Sequence, residues 1–404
     1  MSRGARVVGL DLLFMSVNFS ALTLFSTLSA YVSKYLGVHG TLMWLAAAVY
    51  SAGIFASFFV GHSRFTEEHP RLTVLIAALL AAVPQIVLPY SPAPGVVVVL
   101  RFIQGLVMMA LPIFSAQIGM LYSHARPLAL GIILSGIFIG GLIGSTLGPL
   151  AAQSIGWRGA FVAFGIAMIV SALIWIGATP RETLPKPHEG EAAIDRMVVW
   201  RKRFTIVWGF TFFPALWIIF TLAPLITFII GSLAKHIHYS GLGQLASTAL
   251  EASYVAWSIA IGGIAYACSR GGTTPRQLFN AFARVQTACF IVSAIGLALA
   301  LEARNLPLLL LSIVLIAVVQ GTGPTFWSTP STAYPRELAT IAGYALGLIS
   351  NSAALIGPLT SVALRSVSIY ALWGTMIGMA VWGALQTWIA SRMRLPIEEL
   401  RSIS

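Results

Sequence analysis

Long apolar stretches separated by short polar breaks fill this chain from end to end. A helix needs about 20 mostly apolar residues to cross about 30 Å of hydrocarbon. By that ruler the pattern predicts twelve spans, near residues 7–33, 41–61, 72–91, 95–120, 127–152, 158–179, 204–231, 248–269, 277–300, 306–330, 338–363 and 368–391. Outer-membrane strands would alternate apolar and polar positions, and these unbroken runs do not. The first run follows Arg3 and Arg6 as a signal peptide would. It is longer than a signal core and carries Asp11, so it reads as a retained span. The expected fold class is an all-α membrane protein.

One break is longer than the rest, "TPRETLPKPHEGEAAIDRMVVWRKR" from Thr179 to Arg203. It divides six spans from six, giving an N-terminal half 1–180, a cytoplasmic linker 181–203, and a C-terminal half with a short tail, 204–404. The linker reads as a plain connection, with anionic headgroups as the alternative partner of its basic end. The halves also share landmarks in the same order. "VYSAGIFASFFVGHSR", ending at Arg64, resembles "SYVAWSIAIGGIAYACSR", ending at Arg270. Gln104-Gly105 matches Gln320-Gly321, and Gly148-Pro149 matches Gly357-Pro358. Two copies of a six-helix unit in one orientation imply a pseudo-two-fold axis along the membrane normal, with a central cavity that rocks between two openings.

Composition agrees with lipid as the main solvent. Of 404 residues, 58% are hydrophobic and 9% charged, where a soluble domain carries about 25% charged residues; mean hydropathy is +0.88. The net charge of +12 does not point to nucleic acid, because the basic residues sit in the breaks between spans. Those residues orient the chain instead. A cytoplasmic N-terminus puts eighteen Lys and Arg on that side and five on the other, which predicts a multi-pass protein of the plasma membrane with both termini cytoplasmic.

Classical chemistry is scarce. Cys268 and Cys289, both in apolar runs, make neither a disulfide framework nor a metal site, and His236 and His238 lack a third ligand. No Walker A, HExxH, GxSxG or GxGxxG context is present. No cofactor, no metal and no enzymatic activity are expected.

Polar residues inside the spans carry the functional candidates. In "RFIQGLVMMALPIFSAQ", residues Arg101, Gln104, Gly105, Met108, Pro112 and Ser115 share one helical face. An arginine this deep is either an anion contact or coupling group in a cavity, or a side chain satisfied by neighbouring carbonyls. The first span carries two stripes, Asp11, Asn18 and Phe25 against Ser16, Ser20, Thr23 and Thr27. One would line the cavity and the other pack on a neighbour. Asp11 lies near the cytoplasmic rim, where gating is its expected role. Pro214, Trp217, Thr221, Pro224 and Thr227 mark the seventh span; Gln320, Pro324 and Trp327 mark the tenth. Glu251 opens the eighth at the outer interface.

In "GIFIGGLIGSTLGPLAAQSIGWRGAF", Gly136, Gly140, Gly144 and Gly148 recur every fourth residue and Pro149 follows. Small residues let membrane helices approach closely, so this ridge predicts a sliding contact with a span of the opposite half. Gly343, Gly347 and Gly357-Pro358 echo it.

"RFIQG", "GLIGSTLGP" and "GWRGAF" together resemble the major facilitator superfamily along essentially the whole chain. "GHSRFTEEHPR" keeps Gly61 and Arg64 of its loop between spans 2 and 3, but lacks the aspartate before the arginine; Glu67 and Glu68 are the nearest acids. "GPTFWSTPSTAYPRELATIAGYALGLISNSAALIGP", which contains Asn351, and "NFSA" at Asn18 are similar to the anion:cation symporter branch. Met15, Ser16 and Met108 stand where that branch has ionisable groups. The resemblance implies a monomeric secondary or facilitative transporter working by alternating access, with spans 1, 4, 7 and 10 around the path. Its partners would be the lipid bilayer, a small organic solute with an organic anion as the specific candidate, and a coupling proton or ion. Asn18, Arg101, Gln104, Met108, Trp217, Gln320, Trp327 and Asn351 are the implied substrate set. Asp11, Arg64, Arg270, the glycine ridge with Pro149, and Gly357-Pro358 are the gating and packing set. Rival readings are an efflux pump for apolar or drug-like compounds, and a non-transporting polytopic enzyme or sensor.

Overall fold

Ser2 starts the first helix by accepting the Ala5 amide at 3.3 Å, and Gly37 ends it in the left-handed region at φ 64°. The same local logic sets other boundaries. Thr274 and Gln277 form a capping box before Pro275. Asn305 accepts the Leu308 amide at 2.9 Å, and Ser368 accepts that of Ala371 at 2.9 Å. The computed structural model describes residues 2–38, 41–185, 197–233, 237, 239 and 242–401. His236 and His238 lie outside these residues, and so does most of the expected linker.

The described residues form twelve long helices: α1 (Arg3–Leu36), α2 (Thr41–Gly61), α3 (Pro70–Tyr90), α4 (Pro94–Leu121), α5 and α6 (126–155 and 157–178), α7 (Arg203–Leu233), α8 (Leu242–Ser269), α9 (Pro275–Leu301), α10 (Leu306–Ala333), α11 (Ala339–Val367) and α12 (Ile369–Ala390). There is no strand among the described residues. The α5–α6 helix breaks at Gly156, whose φ of 77° and ψ of 156° suit only glycine. Among the described residues, nine helical segments are long and apolar enough to cross a membrane, the α5–α6 pair counting as one. Phe59 and Val367 are 72% and 77% exposed, while Asp11, Asn18 and Arg101 are 0% exposed. That inversion of water-soluble burial is what a lipid-facing surface produces.

The chain forms two compact units, Met1–Leu121 with Ile133–Glu189, and Tyr122–Ile132 with Gly190–Ser404. In the first, Leu24, Phe25 and Leu28 of α1 pack with Leu88, Val97 and Phe161. In the second, Ile261 of α8, Phe282, Val285 and Cys289 of α9, and Val318 of α10 form a core cluster. Cys268 is exposed, so the two thiols differ in environment.

The internal repeat has a structural counterpart. Helix α4 tightens to a 3₁₀ turn over Leu106–Ala110, just after Gln104-Gly105. Helix α10 does the same over Ala317–Gly321, which contains Gln320-Gly321. Mid-helix 3₁₀ segments are uncommon and mark hinges or strained stretches.

The glycine ridge corrects one expectation. A Cβ at Gly140 would strike the Ser16 carbonyl and Ser20 amide, and one at Gly144 would strike Thr23 and the Ser20 carbonyl. Gly136 meets Met15 and Leu12, and Gly148 meets Leu24. All of these contacts belong to α1 of the same unit rather than the opposite half. Thr23 adds a hydrogen bond to the Gly141 carbonyl at 2.6 Å. The ridge is a close internal seam between α1 and α5.

Candidate functional site

Arg101 lies at the centre of the first unit's polar interior. Helix α4 carries it one turn before the 3₁₀ segment, so it and Gln104 stand together on the last regular turn. Its Nη1 donates to the Ala21 carbonyl of α1 at 3.0 Å and to Gln104 Oε1 at 2.8 Å. Gln104 Nε2 then donates to Gln85 Oε1 of α3 at 2.6 Å. The guanidinium carbon sits 4.5 Å from the ring centres of both Phe25 and Tyr50. No carboxylate pairs with it, and its Nε and Nη2 have no hydrogen-bond partner. Two aromatic faces and two acceptor oxygens only partly offset the loss of water around a cation. The arrangement therefore buries a guanidinium with two unused donor nitrogens.

The two stripes of α1 both face neighbours within this unit. Asn18 Nδ2 donates to the Phe14 carbonyl at 2.9 Å and to Ser171 Oγ of α6 at 3.2 Å, leaving its Oδ1 without a partner. Asp11 is enclosed by protein rather than exposed. It is fully buried among Phe14, Phe114 and Trp175, and its Oδ1 accepts the Trp175 indole N–H at 2.7 Å. Phe25 meets Arg101, while Ser16, Ser20 and Thr23 face the glycine seam. Met108 is buried within the 3₁₀ turn, which interrupts the single helical face expected to run from Arg101 to Ser115.

The second unit has an amide at the junction of several helices. Gln286 of α9 donates to Thr211 of α7 at 3.0 Å and to Thr387 of α12 at 3.3 Å, and Thr325 of α10 donates to its Oε1 at 3.2 Å. One amide thus joins four helices. Trp217 is buried and donates to Thr360 of α11 at 2.9 Å. Asn351 donates to the Gly347 carbonyl at 2.9 Å, and its Oδ1 has no partner. Gln320 and Trp327 are buried in α10, with Trp327 edge-on to Phe326. A Cβ at Gly357 would come within van der Waals contact of Trp217, and Pro358 lies inside α11. The side chains of Pro224 and Thr227 lie outside the described residues.

Arg64 and Arg270, two of the gating candidates, lie on the surface. Arg64 pairs with Glu68 at 2.9 Å, four residues on, in an exposed single turn. Such a pair contributes little to stability. Arg270 stacks 4.6 Å from the ring of Tyr266. A stronger contact comes from a residue read only as a topology marker. Arg126 is buried and donates to Thr332 Oγ1 at 2.6 Å and the Ser328 carbonyl at 3.3 Å, and His124 lies 3.2 Å from the Ser269 carbonyl. All of these residues belong to the second unit. Gln85, Tyr50 and Gln286 are also absent from the sequence-derived set. Each is a polar group inside an apolar run, and that is the signal by which they could have been found.

Two units of long helices with exposed apolar surfaces and buried polar residues are the architecture of a multi-pass membrane protein. The family model described as Major Facilitator Superfamily matches residues 11–358, and the chain belongs to that superfamily. It is a transporter of small solutes by alternating access and not an enzyme. Among solved structures, it is similar to the human organic anion transporter MFSD10 (TETRAN), at 15% identity, covering 96% of this chain and 100% of that one, with a TM-score of 0.72. It is also similar to the proton:xylose symporter XylE bound to 6-bromo-6-deoxy-D-glucose, at 14% identity, covering 100% and 99%, with a TM-score of 0.73. At these identities the likeness concerns the fold. No curated protein matches the sequence.

Proposed function

We propose that this chain is a secondary transporter of a small organic anion, with Arg101 as the contact for the negative group. The observation that carries the reading is the buried Arg101 guanidinium, with no acidic partner and two nitrogens unbonded. The likeness to a structure described as an organic anion transporter supports it. Asn18 and Asn351, each with an unpartnered buried carbonyl oxygen, are the proposed polar contacts of the two units. Gln104, Met108, Trp217, Gln320 and Trp327 complete the solute set.

The reading includes twelve membrane spans, halves 1–180 and 204–404, and the linker 181–203. It places a monomer in the plasma membrane with both termini cytoplasmic. The imbalance of basic residues supports that orientation. Arg158 beside the rings of Tyr35, Tyr90 and Trp157 is a cation–aromatic cluster suited to a membrane interface on either side.

The test is uptake of labelled organic acids by reconstituted protein, with and without a pH gradient. Uptake of at least one acid should fall about tenfold or more in Arg101→Gln, the loss of about 1.4 kcal/mol of binding. Unchanged uptake of every accepted acid would assign Arg101 to structure. A response to the pH gradient would identify proton coupling. Protection of drug-sensitive cells would instead favour efflux of apolar compounds, the reading supported by the buried pair Met108 and Met109.

A further inference from the structure

The first unit carries a second cationic feature, away from Arg101 and independent of the transport reading. A cavity of about 470 Å³ opens where the start of α3 meets the residues that follow α6, lined by Glu68, His69, Arg71, Arg181 and Pro185 among others. Its size lies within the range of small-ligand sites, about 300–1,000 Å³.

The charges around it do not cancel. Glu68 is committed to Arg64 at 2.9 Å, and Glu182, next to Arg181, is committed to Arg3 at 2.9 Å. Arg71 is anchored through Nη2 to the Thr179 carbonyl, while its Nε is buried without a partner. Arg181 is exposed, and its side chain makes no hydrogen bond or ion pair among the described residues. Arg71 and Leu72 also belong to the first turn of α3, where backbone amides have no acceptor within the helix. Two arginines and a helix start line one concave surface. That donor set matches a tetrahedral oxyanion, which offers acceptors in several directions at once.

We infer that this cavity is a binding site for a phosphate group, supplied either by free phosphate or by an anionic phospholipid headgroup. Arg181 is the recruiting side chain, and Arg71 is the fixed one. Because the Arg181 side chain is exposed and makes no polar contact among the described residues, Arg181→Gln is the informative variant.

The experiment uses the full chain in nanodiscs of phosphatidylcholine, titrated with inorganic phosphate at constant ionic strength while the apparent melting temperature is followed. A ligand that binds the folded state raises that temperature saturably. A parallel series replaces part of the phosphatidylcholine with phosphatidylglycerol. Saturable stabilisation by phosphate, weakened tenfold or more in Arg181→Gln, supports a free-phosphate site. Stabilisation by phosphatidylglycerol alone, lost in Arg181→Gln, supports a headgroup site. No saturable response in either series overturns the inference, and so does an Arg181→Gln protein that responds like its parent.

Discussion

The guanidinium of Arg101 on α4 lies 4.5 Å from the ring centre of Tyr50 on α2, a phenol whose hydroxyl has no hydrogen-bond partner. The ring face, rather than the oxygen, is therefore what Tyr50 offers the arginine. Tyr50→Phe keeps that face and removes an unsatisfied buried hydroxyl. It should leave uptake within about twofold and raise stability by up to about 1 kcal/mol. Tyr50→Leu removes the face, worth about 0.5–2 kcal/mol, and should lower the apparent melting temperature. Thermal unfolding of the two variants side by side checks the contrast.

The seam between α1 and α5 predicts a graded response to side-chain size. A methyl at Gly140 meets backbone of α1, which cannot move aside, whereas a methyl at Gly9 meets nothing within 4 Å. Gly9→Ala should be neutral or mildly stabilising. Gly140→Ala should cost about 1–3 kcal/mol through overpacking, and Gly140→Leu should prevent the first unit from forming. Yield of monodisperse protein and its melting temperature are the readouts. A Gly140→Leu protein of parental stability would show that the seam is loose.

Gln286 satisfies three threonines on three other helices. Gln286→Leu leaves those hydroxyls with fewer partners and should destabilise the protein by about 1–2 kcal/mol. Adding Thr211→Val, Thr325→Val and Thr387→Val removes the stranded hydroxyls and should recover much of the loss. Chemical denaturation of the single and quadruple variants measures this, and a quadruple variant no better than the single one contradicts it.

Asp11 can be tested by preserving one of its two oxygens. Asp11→Asn keeps an acceptor for the Trp175 indole and removes any charge, so its stability should match or exceed the parent's. Asp11→Leu strands the indole N–H and should cost about 1–3 kcal/mol. A destabilised Asp11→Asn would show that the carboxylate has a role beyond that hydrogen bond.

The fold was legible because a membrane helix states itself locally, in the length of an apolar run. The class, the order of helices and the repeat needed no tertiary information. Partners of the polar residues did need it. Asp11, Asn18 and Phe25 repeat every seventh residue, which shows that they share a face but not that the face meets α6 and α4. The glycine ridge announced a close contact without naming α1. Arg126 was read by its charge in a break, and only the fold reveals that it reaches the end of α10. Spacing along one helix cannot report what another helix brings to it.

The tight turns in α4 and α10 have a geometric consequence. A 3₁₀ segment rises about 2.0 Å per residue at 3.0 residues per turn, against about 1.5 Å and 3.6 in an α-helix. Over the five residues Leu106–Ala110, or Ala317–Gly321, that amounts to about 2.5 Å of extra length and about a quarter turn of extra winding. Each helix is thus a screw with a changed thread in its middle. Rewinding either turn to α geometry would draw the ends together and rotate Pro112 and Ser115 relative to Arg101, or Trp327 relative to Ser312. A few soft torsions would then set which side chains face one another along the whole helix.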